Sequence, residues 1–296
     1  MFSSEHSKAV IVCALGVALY SVMDALMKGL SIAIGAYDAA LWRSVAGIGM
    51  TGLLYGLRKP RWPPRQVLKI HLIRGSVAAL LVYLFFWGVA RLPLAEGIAL
   101  SFIAPLLTLY LAAVLLGERV GVKQIGYSVV GLAGVAVILA GRLGGPHSRD
   151  AVWGAGAVLL SALAYSYNLI LQRQQAQLAS PEESAFFGAG IMGAVLALAA
   201  PWQAHLPPVN QWAAIFGSAL FASCAFLLLS WAYARAEAKV LVNLEYTAFI
   251  WAAILGFVIF HEPLSLTTLC GAGLIVIGCG LAARREKSEP VPAQAL

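Results

Sequence analysis

Apolar runs about as long as a bilayer is thick follow one another along almost the whole chain, separated by short polar breaks. A hydrocarbon core about 30 Å thick is crossed by about 20 residues of helix. Ten runs approach that length: 9–28, 38–57, 72–91, 95–116 and 122–141, then 151–172, 183–201, 211–233, 239–260 and 265–283. Backbone groups in lipid must bond within a helix or a closed barrel. The continuity of these runs predicts helices rather than the alternating segments of about ten residues that build a membrane barrel. The pattern therefore predicts an all-α membrane protein of ten transmembrane helices, in two halves of five. Residues 1–141 form the first half and 142–150 a Gly- and Pro-bearing linker; residues 151–283 form the second half and 284–296 a solvated tail.

The halves are related in sequence. Residues 87–118 and 231–262 align without gaps at an offset of 144. Trp87, Ala90, Arg91, Leu100, Ala104, Leu111, Val114 and Glu118 recur as Trp231, Ala234, Arg235, Leu244, Ala248, Leu255, Val258 and Glu262. So apolar a composition gives roughly three such identities by chance; here the same Trp-x-x-Ala-Arg start and terminal Glu also bracket both runs. Duplicated membrane halves point to a transporter.

Composition agrees: 61% of residues are hydrophobic and 11% charged, with mean hydropathy +0.84. A soluble protein of this size could not cover its surface with so few charges. The net charge of +7 does not mark a nucleic-acid partner, because the cations occupy loops and the tail without interleaved aromatics. They set topology instead. With the N-terminus in the cytoplasm, fifteen of the twenty Lys and Arg fall in cytoplasmic segments and four outside, and Arg43 lies within a span. The positive-inside rule then places both termini in the cytoplasm. Five spans per half is an odd number, so the second half is expected to be inverted relative to the first. Glu118 and Glu262 would stand at opposite faces, helping to close loops at span ends. The start of the chain reads as a first span rather than a cleaved signal. Cys13, Cys224, Cys270 and Cys279 lie inside apolar runs without ligand spacing and are expected to be small packing residues.

The segment LAEGIALSFIAPLLTLYLAAVLLGERV, with Pro105, Gly117, Glu118 and Arg119, resembles the fourth-span signature of the drug/metabolite transporter superfamily. Its counterpart ends His261-Glu262-Pro263, and Phe249 stands where the first half has Pro105. The resemblance covers nearly the whole chain. It implies two EamA-type five-helix units in a multi-pass protein of the bacterial inner membrane, similar to metabolite exporters such as the YddG-type amino-acid exporters. It also implies that spans five and ten, rich in small residues, support the transport core, with a dimer interface as their alternative role. A homodimer and a monomer both stand.

Ionisable groups inside spans are the first candidates for function, because each is costly to bury. Asp24 and Arg43 lie at matching depths in spans one and two, suited to a structural ion pair or to coupling. Glu245, beside Asn243 and Tyr246 in span nine, occupies the repeat position of Ser101. It is suited to an ammonium group or to pairing with Lys239 or Arg235. Glu96 opens span four, where it favours the helix dipole. Tyr83, Trp87, Phe102, Pro105, Tyr165, Asn168, Trp231 and Phe249 complete a candidate midplane pocket of rings and hydroxyls.

These residues predict a secondary exporter of small metabolites working by alternating access, with neutral or aromatic L-amino acids as substrates. A nucleoside, S-adenosylmethionine, a vitamin or a drug-like solute is the alternative. The expected partners are a small-molecule substrate and membrane lipid, with no cofactor and no metal. An enzyme is disfavoured because HExxH, GxSxG and Walker motifs are absent from the sequence. A channel is disfavoured by the lack of a charged ring or filter sequence.

Overall fold

The computed structural model describes residues 4–57, 62–116, 121–141, 148–235, 241 and 244–282. Gly117, Glu118, Arg119, Lys239 and Asn243 lie outside the described residues, as do most of the linker and the tail. The described residues are helical, without strands. The elements are α1 (Ser4–Ile34), α2 (Ala36–Leu57), α3 (Arg65–Val89), α4 (Leu94–Ser101), α5 (Ala104–Leu116) and α6 (Val122–Ala140). There follow α7 (Ser148–Gln175), α8 (Pro181–Ala197), the single turn α9 (Ala200–Gln203), α10 (Trp212–Tyr233), α11 (Ala248–Phe260) and α12 (Leu266–Ala282).

Among the described residues, six segments are long and apolar enough to cross a membrane: Lys8–Ile34, Arg65–Val89, Leu94–Leu115, Val122–Ala140, Arg149–Gln175 and Val209–Tyr233. Two shorter apolar helices, Ala248–Phe260 and Leu266–Leu281, accompany them. Large apolar side chains on the outside, among them Val114, Val129, Leu132, Phe257 and Val258, are half or more exposed. Such a surface suits lipid and not water. The chain is a multi-pass membrane protein.

Four helix pairs dominate the packing: α1 with α10, α3 with α7, α2 with α8, and α6 with α12. Each runs antiparallel, as its contacts show. Asn168 meets Arg74, Ser161 meets Leu81 and Gly154 meets Gly88 along α7 and α3. Corresponding stretches of the two halves meet alike: residues 81 and 225 are 144 apart, and residues 16 and 161 are 145 apart. Gly16 abuts the Ala225 carbonyl in the α1–α10 pair. Ser161 bonds the Leu81 carbonyl in the α7–α3 pair. Gly271 and Gly278 of α12 press on Gly134 and Tyr127 of α6, at carbonyl distances of 2.7 and 2.8 Å from a notional Cβ. Residues 127 and 134 are 144 positions before 271 and 278, so this interface maps onto itself. Only glycine allows that approach.

Span four is not one helix. It breaks at Phe102 and Ile103, between α4 and α5. Pro105 lacks an N–H, and its ring clashes with the carbonyl four residues earlier, so the helix cannot run through. The thiol of Cys279 donates to the freed Phe102 carbonyl at 3.0 Å. The segment expected as span nine turns at Tyr246 and Thr247, which stand 144 positions after 102 and 103, although no proline stands there. Thr247 Oγ1 donates to the Leu244 carbonyl at 2.6 Å, a local bond that competes with the helical ladder. The rings of Phe102 and its counterpart Tyr246 meet edge to face at 5.2 Å.

Candidate functional site

Inside this apolar body lies a polar centre to which several helices contribute. Asp24 and Tyr20 come from α1, Arg43 from α2, Arg74 from α3, Tyr165 and Asn168 from α7, and Glu245 from the segment before α11. Tyr20 is within electrostatic range of Asp24, Arg43, Arg74 and Glu245. Tyr165 is within range of Glu245, Tyr20, Arg74 and Asp24. Asp24, Arg43 and Tyr165 sit deep in the protein, yet Tyr165 keeps 39% of its surface open and the other two are half-buried.

Asp24 and Arg43 act on each other electrostatically without direct contact. Arg43 Nη2 meets the Met192 sulfur at 4.0 Å, and its buried Nε has no hydrogen-bond partner among the described residues. Arg74 donates to Gln175 Oε1 at 2.6 Å and Gln172 Oε1 at 3.3 Å, and its own Nε is also unpartnered. Asn168 Nδ2 donates to the Arg74 carbonyl at 3.3 Å. Tyr233 Oη donates to Glu245 Oε1 at 2.5 Å. Sequence reasoning assigned Arg74 to the topology signal and passed over Tyr20 and Tyr233. The signal for Arg74 was its position, two residues inside the predicted start of span three.

The other candidates divide into smaller groups. Phe102, Tyr246 and Phe249 pack together on the core around α4 and α11, with Ser101 Oγ bonded to the Ile98 carbonyl. Tyr83 and Trp87 join a second cluster with α1 and α10, and Trp231 a third beside Cys13. Pro105 is exposed. Trp87 and Trp231 are held alike: Arg91 lies 3.6 Å over Trp87 and Arg235 lies 4.2 Å over Trp231. Each arginine also donates to the carbonyl of its own tryptophan. The Trp-x-x-x-Arg repeat is thus a local cation–π clip.

Glu262 does more than close a loop. His261 adopts a left-handed backbone at φ 54°, which turns Glu262 back toward α4. There Oε2 accepts from the Leu94 N–H at 2.8 Å and Oε1 pairs with Lys28. Lys28, only 1% exposed, also donates to the Leu92 carbonyl at 2.5 Å. A carboxylate of the second half therefore clamps α1 and the start of α4.

Two acid–histidine contacts stand at opposite ends of α8. At its start, Glu183 Oε1 lies 2.9 Å from His71 Nε2 on α3, while Gln175 Nε2 faces His71 Nδ1 at 2.5 Å. Beyond its end, Asp38 at the start of α2 accepts from the His205 N–H at 3.1 Å and lies 3.3 Å from His205 Nδ1. The first contact joins α8 to α3; the second joins α2 to the approach to α10. The four cysteines are free, and no cluster of metal-ligating side chains occurs among the described residues.

A helical membrane body with charged groups in its interior is the architecture of a solute transporter. The chain is a member of the EamA-like transporter family, whose model matches residues 7–140 and 152–284. It is 25% identical over 272 residues to the pseudopaline exporter CntI of Pseudomonas aeruginosa, covering 90% of this chain and 93% of that one. It is 24% identical over 207 residues to the S-adenosylmethionine uptake transporter of Rickettsia bellii, covering 70% of this chain and 69% of that one. A protein of known crystal structure superposes with a TM-score of 0.63 at 23% identity, over 94% of this chain and 98% of that one. The family and these relatives are transporters, not enzymes.

Proposed function

We propose that the protein is a secondary exporter of small amino-acid-type metabolites, working by alternating access in the bacterial inner membrane with both termini in the cytoplasm. The observation that carries this reading is the polar centre, where carboxylates, guanidiniums and tyrosines from both halves lie within electrostatic range of Tyr20 and Tyr165 inside an apolar body. Metabolites bearing both charges suit such a centre, and the rings of Phe102, Tyr246 and Phe249 nearby suit an apolar side chain. Neutral and aromatic L-amino acids are therefore the first solutes to test.

The domain reading is two inverted five-helix units, 1–141 and 151–283, with 142–150 as linker and 284–296 as tail. The likeness of the contacts made by corresponding stretches supports it, as do the antiparallel self-paired helices α2–α8 and α6–α12. Ten spans follow if α4 and α5 form one and α11 completes another. In this arrangement the two acid–histidine contacts become reciprocal latches, Asp38–His205 closing the outer end and His71–Glu183 the inner end. Opening one while the other holds would expose the polar centre to each side in turn.

Counterflow in proteoliposomes with a labelled amino-acid panel tests the reading. Saturable uptake stimulated by unlabelled solute inside is expected; no saturable uptake of any member would reject it. The named relatives that take up S-adenosylmethionine make that sulfonium amino acid the second solute to include.

A further inference from the structure

Arg74, Gln175, His71 and Glu183 form one line of hydrogen bonds across α3, α7 and α8, and the arginine fixes its direction. Arg74 Nη1 donates to Gln175 Oε1 at 2.6 Å. A guanidinium only donates, so the amide oxygen of Gln175 faces Arg74 and its nitrogen faces His71. That nitrogen also only donates, and it stands 2.5 Å from His71 Nδ1. His71 Nδ1 therefore carries no proton, and the ring N–H is at Nε2, 2.9 Å from Glu183 Oε1. Positive charge on this ring is favoured on two sides and opposed on the third. Glu183 accepts at Nε2, and Phe187 stacks on the imidazole at 4.7 Å and 11°, offering a ring face that attracts a cation. At Nδ1 an added proton would point at the Gln175 NH2 group. Turning the amide over offers His71 the oxygen, but sets the NH2 group against the Arg74 guanidinium. His71 and Gln175 are 1% and 2% exposed, so water cannot make up the missing bond. Other ionisable groups around the ring are Tyr55 of α2, which meets Phe187 edge to face at 6.1 Å, and Glu182, beside Glu183 on α8. Arg65 and Lys69 of α3 and Arg173 of α7 are exposed.

We propose that His71 is a proton-binding site of the transporter, and that Gln175 makes the bound proton and the hold on Arg74 exclusive alternatives. One amide oxygen serves either the Arg74 guanidinium or a protonated His71, never both. A proton added to the Nδ1 lone pair turns the amide and frees Arg74 Nη1. The remaining side-chain bond of Arg74 among the described residues is then the one to Gln172, at 3.3 Å. When the proton leaves Nδ1 the hold is restored, while the Nε2–H bond to Glu183 lasts throughout. Solute movement is thereby linked to proton movement at the His71–Glu183 contact. This rests on the exporter reading above and adds a coupling ion to it, with Gln175 as a positioning residue.

The test begins with the imidazole nitrogen NMR signals of full-length, histidine-labelled protein in proteoliposomes, followed from about pH 5 to 8, the range in which histidine changes charge. The His71 pair is the one lost in His71→Gln or, if that variant does not fold, in His71→Asn. At the alkaline end the wild type should carry its proton on Nε2 alone, and at the acid end on both nitrogens. A proton on Nδ1 alone, or no change across the range, would overturn the proposal. A double-mutant cycle then asks whether Arg74 acts through Gln175. Arg74→Gln releases the amide, so the midpoint of His71 protonation should rise by about one pH unit or more. In the Gln175→Leu background the same substitution should move the midpoint much less, because only the direct effect of the charge remains. Equal rises in both backgrounds would make Gln175 incidental and overturn the proposal. Counterflow of labelled amino acids should vary with pH in the wild type and lose that dependence in His71→Gln. Saturable flux that ignores pH, or whose pH dependence survives His71→Gln, would leave the exporter reading standing and reject the coupling. The expected proton positions and cycle without saturable flux would instead reject the exporter reading.

Discussion

The polar centre and the α6–α12 interface show two ways of using a membrane interior. At α6–α12, glycines bring backbones into contact, and the described residues at that contact, from Tyr127 to Gly141 and Thr267 to Gly278, carry no charge. Gly278 stands with a notional Cβ 2.6 Å from the Gly131 nitrogen, and Gly271 with one 2.7 Å from the Gly134 carbonyl. At the polar centre, no direct ion pair joins the charges among the described residues, and Asp24, Arg43 and Tyr165 keep open surface. The first region has exhausted its interactions within the protein; the second has kept some in reserve. That difference separates scaffold from site, and it cuts across polarity. The buried Lys28–Glu262 pair, fully engaged, belongs with the scaffold.

Substitutions should sort accordingly. Glu262→Ala takes the counter-charge from the buried Lys28 ammonium and leaves it its bond to the Leu92 carbonyl; a cost of about 3 kcal/mol of stability is expected, read as a large fall in the thermal midpoint in detergent. A near-normal midpoint would return Glu262 to a loop-closing role. Gly278→Leu forces side-chain atoms into the α6 backbone and should cost about 1–3 kcal/mol or more, with lower accumulation in the membrane. Asp24→Asn and Glu245→Gln should cost about 1 kcal/mol or less while strongly reducing flux. If Asp24→Asn unfolds the protein, the Asp24–Arg43 relation is structural. Gly273→Ala, on α12 but facing open space, should change neither stability nor flux, which isolates close approach as the cause of the Gly278 effect.

Much of the helical layout was legible in the sequence, because lipid dictates run length and the runs are long. The repeat was legible from Trp87, Arg91 and Glu118 against Trp231, Arg235 and Glu262, and the cation–π clips give its conserved spacing a physical reason. The break in span four could be read from Pro105. Its twin at Tyr246 could not, because it rests on a threonine hydroxyl competing for a carbonyl rather than on a missing N–H. Arg74 was hidden for a different reason. A cation two residues inside a span looks like a snorkelling anchor, and only the packing of α3 against α7 shows it turned inward. Lys28 and Glu262 are 234 residues apart in sequence, so no local pattern could pair them. The acid–histidine contacts were equally invisible, since each joins elements from different halves.

The most direct test of alternating access is to lock each latch separately. Paired cysteines replace Asp38 and His205 in one protein and His71 and Glu183 in another, and counterflow is measured before oxidation, after oxidation and after reduction. The account predicts that either crosslink alone stops saturable flux and that reduction restores it. Continued saturable flux with either latch crosslinked would contradict a site exposed to each side in turn.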